Sequence, residues 1–91
     1  LRVGAVSYLN TKPLLWGIER APLRARMDLR LMYPALLAAG LKDGSLDVAL
    51  LPVAAMPGIP GARVVGGYGI GADGPVASVC LFSPVPLEQV E

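Results

Sequence analysis

The sequence contains no histidine. That excludes an imidazole base, a Ser-His or Cys-His nucleophile pair and histidine metal ligands within it. Cys80 is the sole cysteine, so neither an internal disulfide nor a cysteine metal cluster is available. Charge is scarce: charged side chains make up 16% of the residues, and eight basic against seven acidic groups leave a net +1. Such a balance lacks the basic stripe needed to neutralise phosphates, so no nucleic-acid partner is expected. Asp43, Asp47 and Asp73 show no paired spacing that would suggest a metal site or a carboxylate dyad. Long hydrophobic runs are missing too. The longest uncharged stretches run from Val48 to Ala62 and from Gly74 to Leu87, both short of the ~18 apolar residues a spanning helix needs. Pro52, Pro57 and Pro60 break the first, and Pro75, Pro84 and Pro86 break the second. No basic start followed by an apolar run opens the sequence, so no signal peptide, no membrane partner and a cytoplasmic location are expected.

What is present is an apolar chain. Of its 91 residues, 54% are hydrophobic, which argues against disorder and suffices for a modest core, with roughly 60% of the unfolded surface buried. Arg2 to Val6 reads as a short buried strand. Pro13 fits the first turn of a helix, with Leu14, Leu15 and Ile18 as its apolar face, Gly17 as its weak point and Pro22 beyond its end. Asp28 to Tyr33 alternates as a second strand. Pro34 opens a helix to about Lys42, with Leu37 and Leu41 on one face and Gly44 placed as its C-terminal cap. Asp47 to Leu51 is a continuous apolar run, as in a strand covered on both faces. The order β-α-β-α-β predicts an α/β fold with a parallel sheet and right-handed crossovers. Val53 to Met56 makes one helical turn, and Pro57 to Gly61 a loop. Ala62 to Val65 is a short strand, Gly66 to Gly74 a glycine-rich connection, and Val76 to Ser83 a further strand. Pro86 to Glu91 has the pattern of a first helical turn, which leaves 1–91 as one partial domain.

Gly69-Ile70-Gly71-Ala72-Asp73-Gly74 matches the dinucleotide fingerprint, but that motif needs a preceding strand and a following helix to hold the pyrophosphate. Here Pro75 and a β-branched stretch follow, so the reading is a flexible connection, and no cofactor is expected. Asn10 is the only asparagine and Thr11 the only threonine. Asn10 falls just past a strand end, where ligands bind in open α/β sheets, and its amide suits a hydroxyl or a carboxylate. It is equally placed to cap the helix near Pro13. Lys12 and Arg63 are cations able to attract an anion, though each reads first as a solvated surface charge. Ser78 sits in an apolar strand, as a core serine or a cleft residue, with Cys80 on the same face as a small apolar filler. Trp16 and Tyr8 read as packing residues.

Three stretches together resemble the MqnA family of chorismate dehydratases, of the futalosine route to menaquinone. The specific one is Val3-Gly4-Ala5-Val6-Ser7-Tyr8-Leu9-Asn10-Thr11-Lys12-Pro13-Leu14. Gly44 to Val53 resembles the family's third strand, a pattern shared across type II periplasmic-binding-protein folds. Gly74 to Leu81, with Ser83-x-x-Pro86-Leu87, is the third. The sister dihydroxynaphthoate synthases open with a proline-asparagine-aspartate loop that is absent here. The resemblance implies a two-lobed type II binding-protein fold, of which 1–91 would form the first part of lobe one, with the remainder of the chain as its partner. It implies a carbon–oxygen lyase that removes water from chorismate to give 3-[(1-carboxyvinyl)oxy]benzoate. It also implies that Asn10 is catalytic and, with Thr11 and Ser78, binds the substrate, with backbone N–H groups near Thr11 adding anion binding. Neither metal nor cofactor is implied. None of Asn10, Thr11 and Ser78 takes up a proton near neutral pH. The base then comes either from the second lobe or from the substrate's own carboxylate, the latter favoured by the high effective molarity of a positioned intramolecular group. A solute receptor of the same fold and a sister-pathway synthase are the alternatives.

Overall fold

The computed structural model describes residues 1–77, 80 and 82–90. Its centre is β1 (Arg2–Val6), which pairs in parallel with β2 (Asp28–Met32) on one side and with β3 (Val48–Ala49) on the other, in the order β2-β1-β3. Parallel neighbours need crossover helices, and α1 (Lys12–Arg20) and α2 (Pro34–Lys42) supply them. The expected α/β class and parallel sheet are therefore present. The register sets Val3 beside Leu29 and Val48, and Gly4 beside Arg30 and Ala49. Because alternate residues face opposite sides, the two sheet faces have different covers.

The Gly4 face lies under α2. A Cβ at Gly4 would collide with a methyl of Leu37, and would stand 2.7 Å from Leu46 Cδ1 and 3.3 Å from Ala49 Cβ. Leu37 is 0% exposed and Leu46 is buried, so the absent side chain is what lets α2 close on the sheet. Gly44 follows α2 at φ +76°, the left-handed position expected of it. The Val3 face is thinly covered beside α1: Ala5 and Leu15 are buried there, but Val48 is 38% exposed.

Both expected helices keep their places, with Pro13 and Pro34 in the first turns. A 3-10 turn at Leu9–Thr11 precedes α1, another at Pro22–Arg26 follows it, and a third at Val53–Gly58 follows β3. Leu87–Gln89 forms a last 3-10 turn where a helical start was expected.

Three expectations need correction. The run Asp47–Leu51 yields only a two-residue strand, uncovered on the Val3 face, although backbone bonds extend its pairing: Asp47 N–H donates to the Arg2 carbonyl at 2.9 Å and Leu50 N–H to that of Gly4 at 3.0 Å. Ala62–Val65 is not a strand, because among the described residues no neighbouring strand offers it a ladder. The expected strand from Val76 to Ser83 falls partly outside the described residues, and its described members Val76, Ala77, Cys80, Phe82 and Ser83 are in no strand. Every described residue from Arg63 to Val90 is exposed. The radius of gyration, 16.0 Å, accordingly exceeds the ~12 Å of a compact chain of this length. Among the described residues, no helix is long and apolar enough to cross a membrane.

Candidate functional site

All three strands point the same way, so their carboxyl ends make one rim. Ser7 N–H donates to the Met32 carbonyl at 3.2 Å, which extends the β1–β2 ladder by one residue before the chain turns. The turn Tyr8-Leu9-Asn10-Thr11 is closed by Thr11 N–H donating to the Tyr8 carbonyl at 3.1 Å. Tyr8 meets Tyr33, at the end of β2, edge to face with ring centroids 6.3 Å apart, a favoured aromatic geometry.

A cleft of about 1190 Å³ runs along the sheet, lined by Val3, Ala5 and Val48 and reaching Leu41 and Leu46 at the α2 side. Tyr8, Asn10 and Thr11 line it from the first turn, Leu50 to Val53 from the end of β3, and Arg63 and Tyr68 from the chain beyond. Asn10 is exposed to this cleft and Thr11 is 0% exposed beneath it. The Thr11 hydroxyl makes a long O–H···O contact of 3.5 Å with Asn10 Oδ1. That contact engages the carbonyl end of the amide and leaves its two N–H donors for a ligand acceptor.

The structure separates the two readings of Asn10. The residue preceding α1 is Thr11, and neither the 3-10 turn nor α1 has a side-chain cap hydrogen bond. Asn10 is thus not a helix cap. Thr11 does not offer a free backbone donor: its N–H is committed to Tyr8, the Lys12 N–H to the Leu9 carbonyl, and Pro13 has none. Its place under Asn10 suits it to orient the amide rather than to touch a ligand. Ser78 lies outside the described residues.

The two candidate cations part company. Lys12 lies with Leu15, Trp16, Glu19 and Arg20 of α1 and Leu31 of β2 in a separate shallow depression. Arg63 lines the cleft together with Asn10. Among the described residues the cleft's other charged group is Asp47, which stands at the opposite end of the strands beside Arg2. Arg2 grips it by donating its backbone N–H at 2.7 Å and its Nε–H at 3.2 Å to Oδ2, and Nη2 at 2.6 Å to Oδ1. Hydrogen bonding and the charge of Arg2 hold the Asp47 carboxyl well below the usual carboxylate range. Asp43 accepts the Ser45 N–H at 2.8 Å, which makes it a turn residue at the end of α2.

The family model for menaquinone biosynthesis matches residues 1–91. The chain belongs to this family. No solved structure matches it with significance. The loop that carries the MqnA-type motif, Ser7 to Pro13, is the one that the fold sets at the rim of the cleft.

Two packing expectations change in this menaquinone-biosynthesis chain. Trp16 is 62% exposed, with the Arg20 guanidinium 4.4 Å from its ring centroid, so it is covered by a cation rather than by the core. Cys80 is exposed rather than a buried apolar filler. The sequence marked Arg63 only as a cation able to attract an anion, on the same footing as Lys12, and did not separate the two.

Proposed function

We propose that the chain is part of a chorismate dehydratase, which eliminates water from chorismate to give 3-[(1-carboxyvinyl)oxy]benzoate. The observation that carries this reading is Asn10. It presents amide donors to a cleft at the carboxyl ends of parallel strands, inside the MqnA-type loop of a menaquinone-biosynthesis chain. The proposal includes a type II binding-protein architecture, in which this sheet belongs to the first of two lobes that close on the substrate. Ser78, at the position resembling the family's serine, contacts a carboxylate in this scheme.

In the reaction a ring C–H bond and the C–O bond of the ring hydroxyl break. The proton and hydroxide leave as water, and the ring becomes aromatic, which supplies the driving force. Asn10 donates a hydrogen bond to the departing hydroxyl or to a carboxylate beside it. Thr11 fixes which end of that amide faces the substrate. The proton acceptor is not Asp47: it sits four strand residues away from Val6, ~13 Å along β1, and its charge is held by Arg2. We assign that task to the substrate's own carboxylate, held close to the ring proton.

The test is incubation of the protein carrying this sequence with chorismate, with products followed by mass and ultraviolet absorbance. The expected result is loss of one water with a new aromatic absorbance, strongly slowed in Asn10→Ala. Chorismate bound but unchanged would point to a receptor. No interaction with chorismate would redirect the search to a sister-pathway substrate. A pH–rate profile with an enzyme base titrating near neutrality would overturn the intramolecular proton transfer.

A further inference from the structure

We propose that Arg63 is the cation that seats a carboxylate of the ligand in the cleft. This rests on the proposed function only for the choice of ligand, since the binding itself is independent of turnover. The cleft has two charged lining residues among those described, Asp47 and Arg63. Asp47 is neutralised by a bidentate ion pair with Arg2, the closest approach being 2.6 Å. Arg63 has neither an ion pair nor a hydrogen bond among the described residues. Among the described residues, the lining of the cleft therefore carries one uncompensated positive charge. Leu50, Leu51 and Val53 line the cleft with it and offer no competing charge.

The position of Arg63 is set by the backbone. The 3-10 turn Val53–Gly58 leaves the carboxyl end of β3, Ile59 is buried, and Ala62 N–H donates to the Ile59 carbonyl at 3.1 Å. This closed turn, anchored by Ile59, delivers the next residue, Arg63, to the cleft. A guanidinium is a planar fork that matches a carboxylate with two parallel hydrogen bonds. Asn10 donors and the Arg63 fork then give one ligand two separate anchoring points, suited to a molecule with a hydroxyl or carboxylate at one place and a carboxylate at another. Lys12, although next to Thr11 in sequence, lines a separate depression between α1 and β2 and serves as the control.

The experiment measures chorismate binding by calorimetry, with turnover measured separately, for the unmodified protein, Arg63→Gln, Arg63→Lys and Lys12→Gln. Thermal unfolding of each variant verifies the fold. Benzoate and its neutral counterpart benzamide serve as simple probes. The expected result is a ~10- to 100-fold loss of chorismate affinity in Arg63→Gln, the size of a charge-assisted hydrogen bond. Arg63→Lys should recover part of it, and Lys12→Gln should bind as the unmodified protein does. Benzoate, not benzamide, should lose affinity in Arg63→Gln, and the loss should shrink as salt is raised. In turnover the change should fall on KM rather than kcat, as for binding shared by ground and transition states. Unchanged chorismate and benzoate affinity in Arg63→Gln would overturn the proposal, as would an equal loss in Lys12→Gln. Arg63-dependent binding without turnover would uphold Arg63 and remove the dehydratase reading. Absence of chorismate and benzoate binding in the unmodified protein would remove Arg63's role.

Discussion

Gly4→Ala is the smallest change that tests how the site is held in place. Gly4 lies in the middle of β1, its carbonyl accepts the Leu50 N–H at 3.0 Å, and its missing side chain admits α2. A methyl there would overlap Leu37 and stand 2.7 Å from Leu46 Cδ1. Neither neighbour is a loose surface chain: Leu37 is 0% exposed and Leu46 is buried. Overpacking of this kind costs ~1–3 kcal/mol, offset by ~0.4–1 kcal/mol from the reduced freedom of the unfolded chain. The net expectation is a loss of ~1–2 kcal/mol. With a urea slope of ~1.5 kcal/mol/M, the unfolding midpoint should fall by ~1 M at unchanged slope. Gly17→Ala is the matched control. Gly17 lies inside α1 with nothing within 4 Å of its would-be Cβ, so alanine should stabilise by ~0.5–1 kcal/mol. The same substitution is thus expected to act with opposite sign at two places. A Gly4→Ala midpoint equal to or above that of the unmodified protein would refute the close packing of α2 on β1. Since β1 leads directly into Ser7–Thr11, the displaced strand should also weaken any ligand that depends on Asn10.

Leu37→Ala should cost ~2–5 kcal/mol in urea unfolding, as the side chain is wholly buried between α2 and the sheet. Asp47→Asn should lower stability at neutral pH and flatten its dependence on acid. The folded carboxyl is held below its unfolded value of ~3.9, so its contribution is complete above that pH and fades as pH falls below it; acid titrations of the two proteins should converge at the low end. Thr11→Val removes the hydroxyl that engages Asn10 Oδ1 while keeping the buried volume. It should reduce turnover several-fold, with Thr11→Ser restoring it; equal turnover in all three would show that Asn10 does not depend on Thr11.

The sequence was most informative where local chemistry and packing agree. Pro13 and Pro34 open helices because each has its missing N–H in a first turn, and Gly44 ends α2 because the chain there needs positive φ. β1, α1, β2 and α2 were therefore readable. Strands past Met56 were not, because a β-branched run such as Ala62–Val65 specifies an extended chain but not a neighbour, and a strand exists only where a ladder partner lies beside it. The same distinction governs the site. Asn10 stood out by its chemistry, as a lone amide after a strand end. Lys12 and Arg63 were indistinguishable as isolated cations. The fold parts them: Leu14 and Ile18 line the cleft, whereas Lys12, Trp16 and Glu19 line a separate depression between α1 and the edge of β2. Arg63 reaches the cleft through the turn beyond β3, a long-range closure anchored by Ile59 that no local pattern encodes. Which cation meets the ligand is thus decided by tertiary topology rather than by the neighbours of Asn10, and comparison of the two Gln variants measures that decision directly.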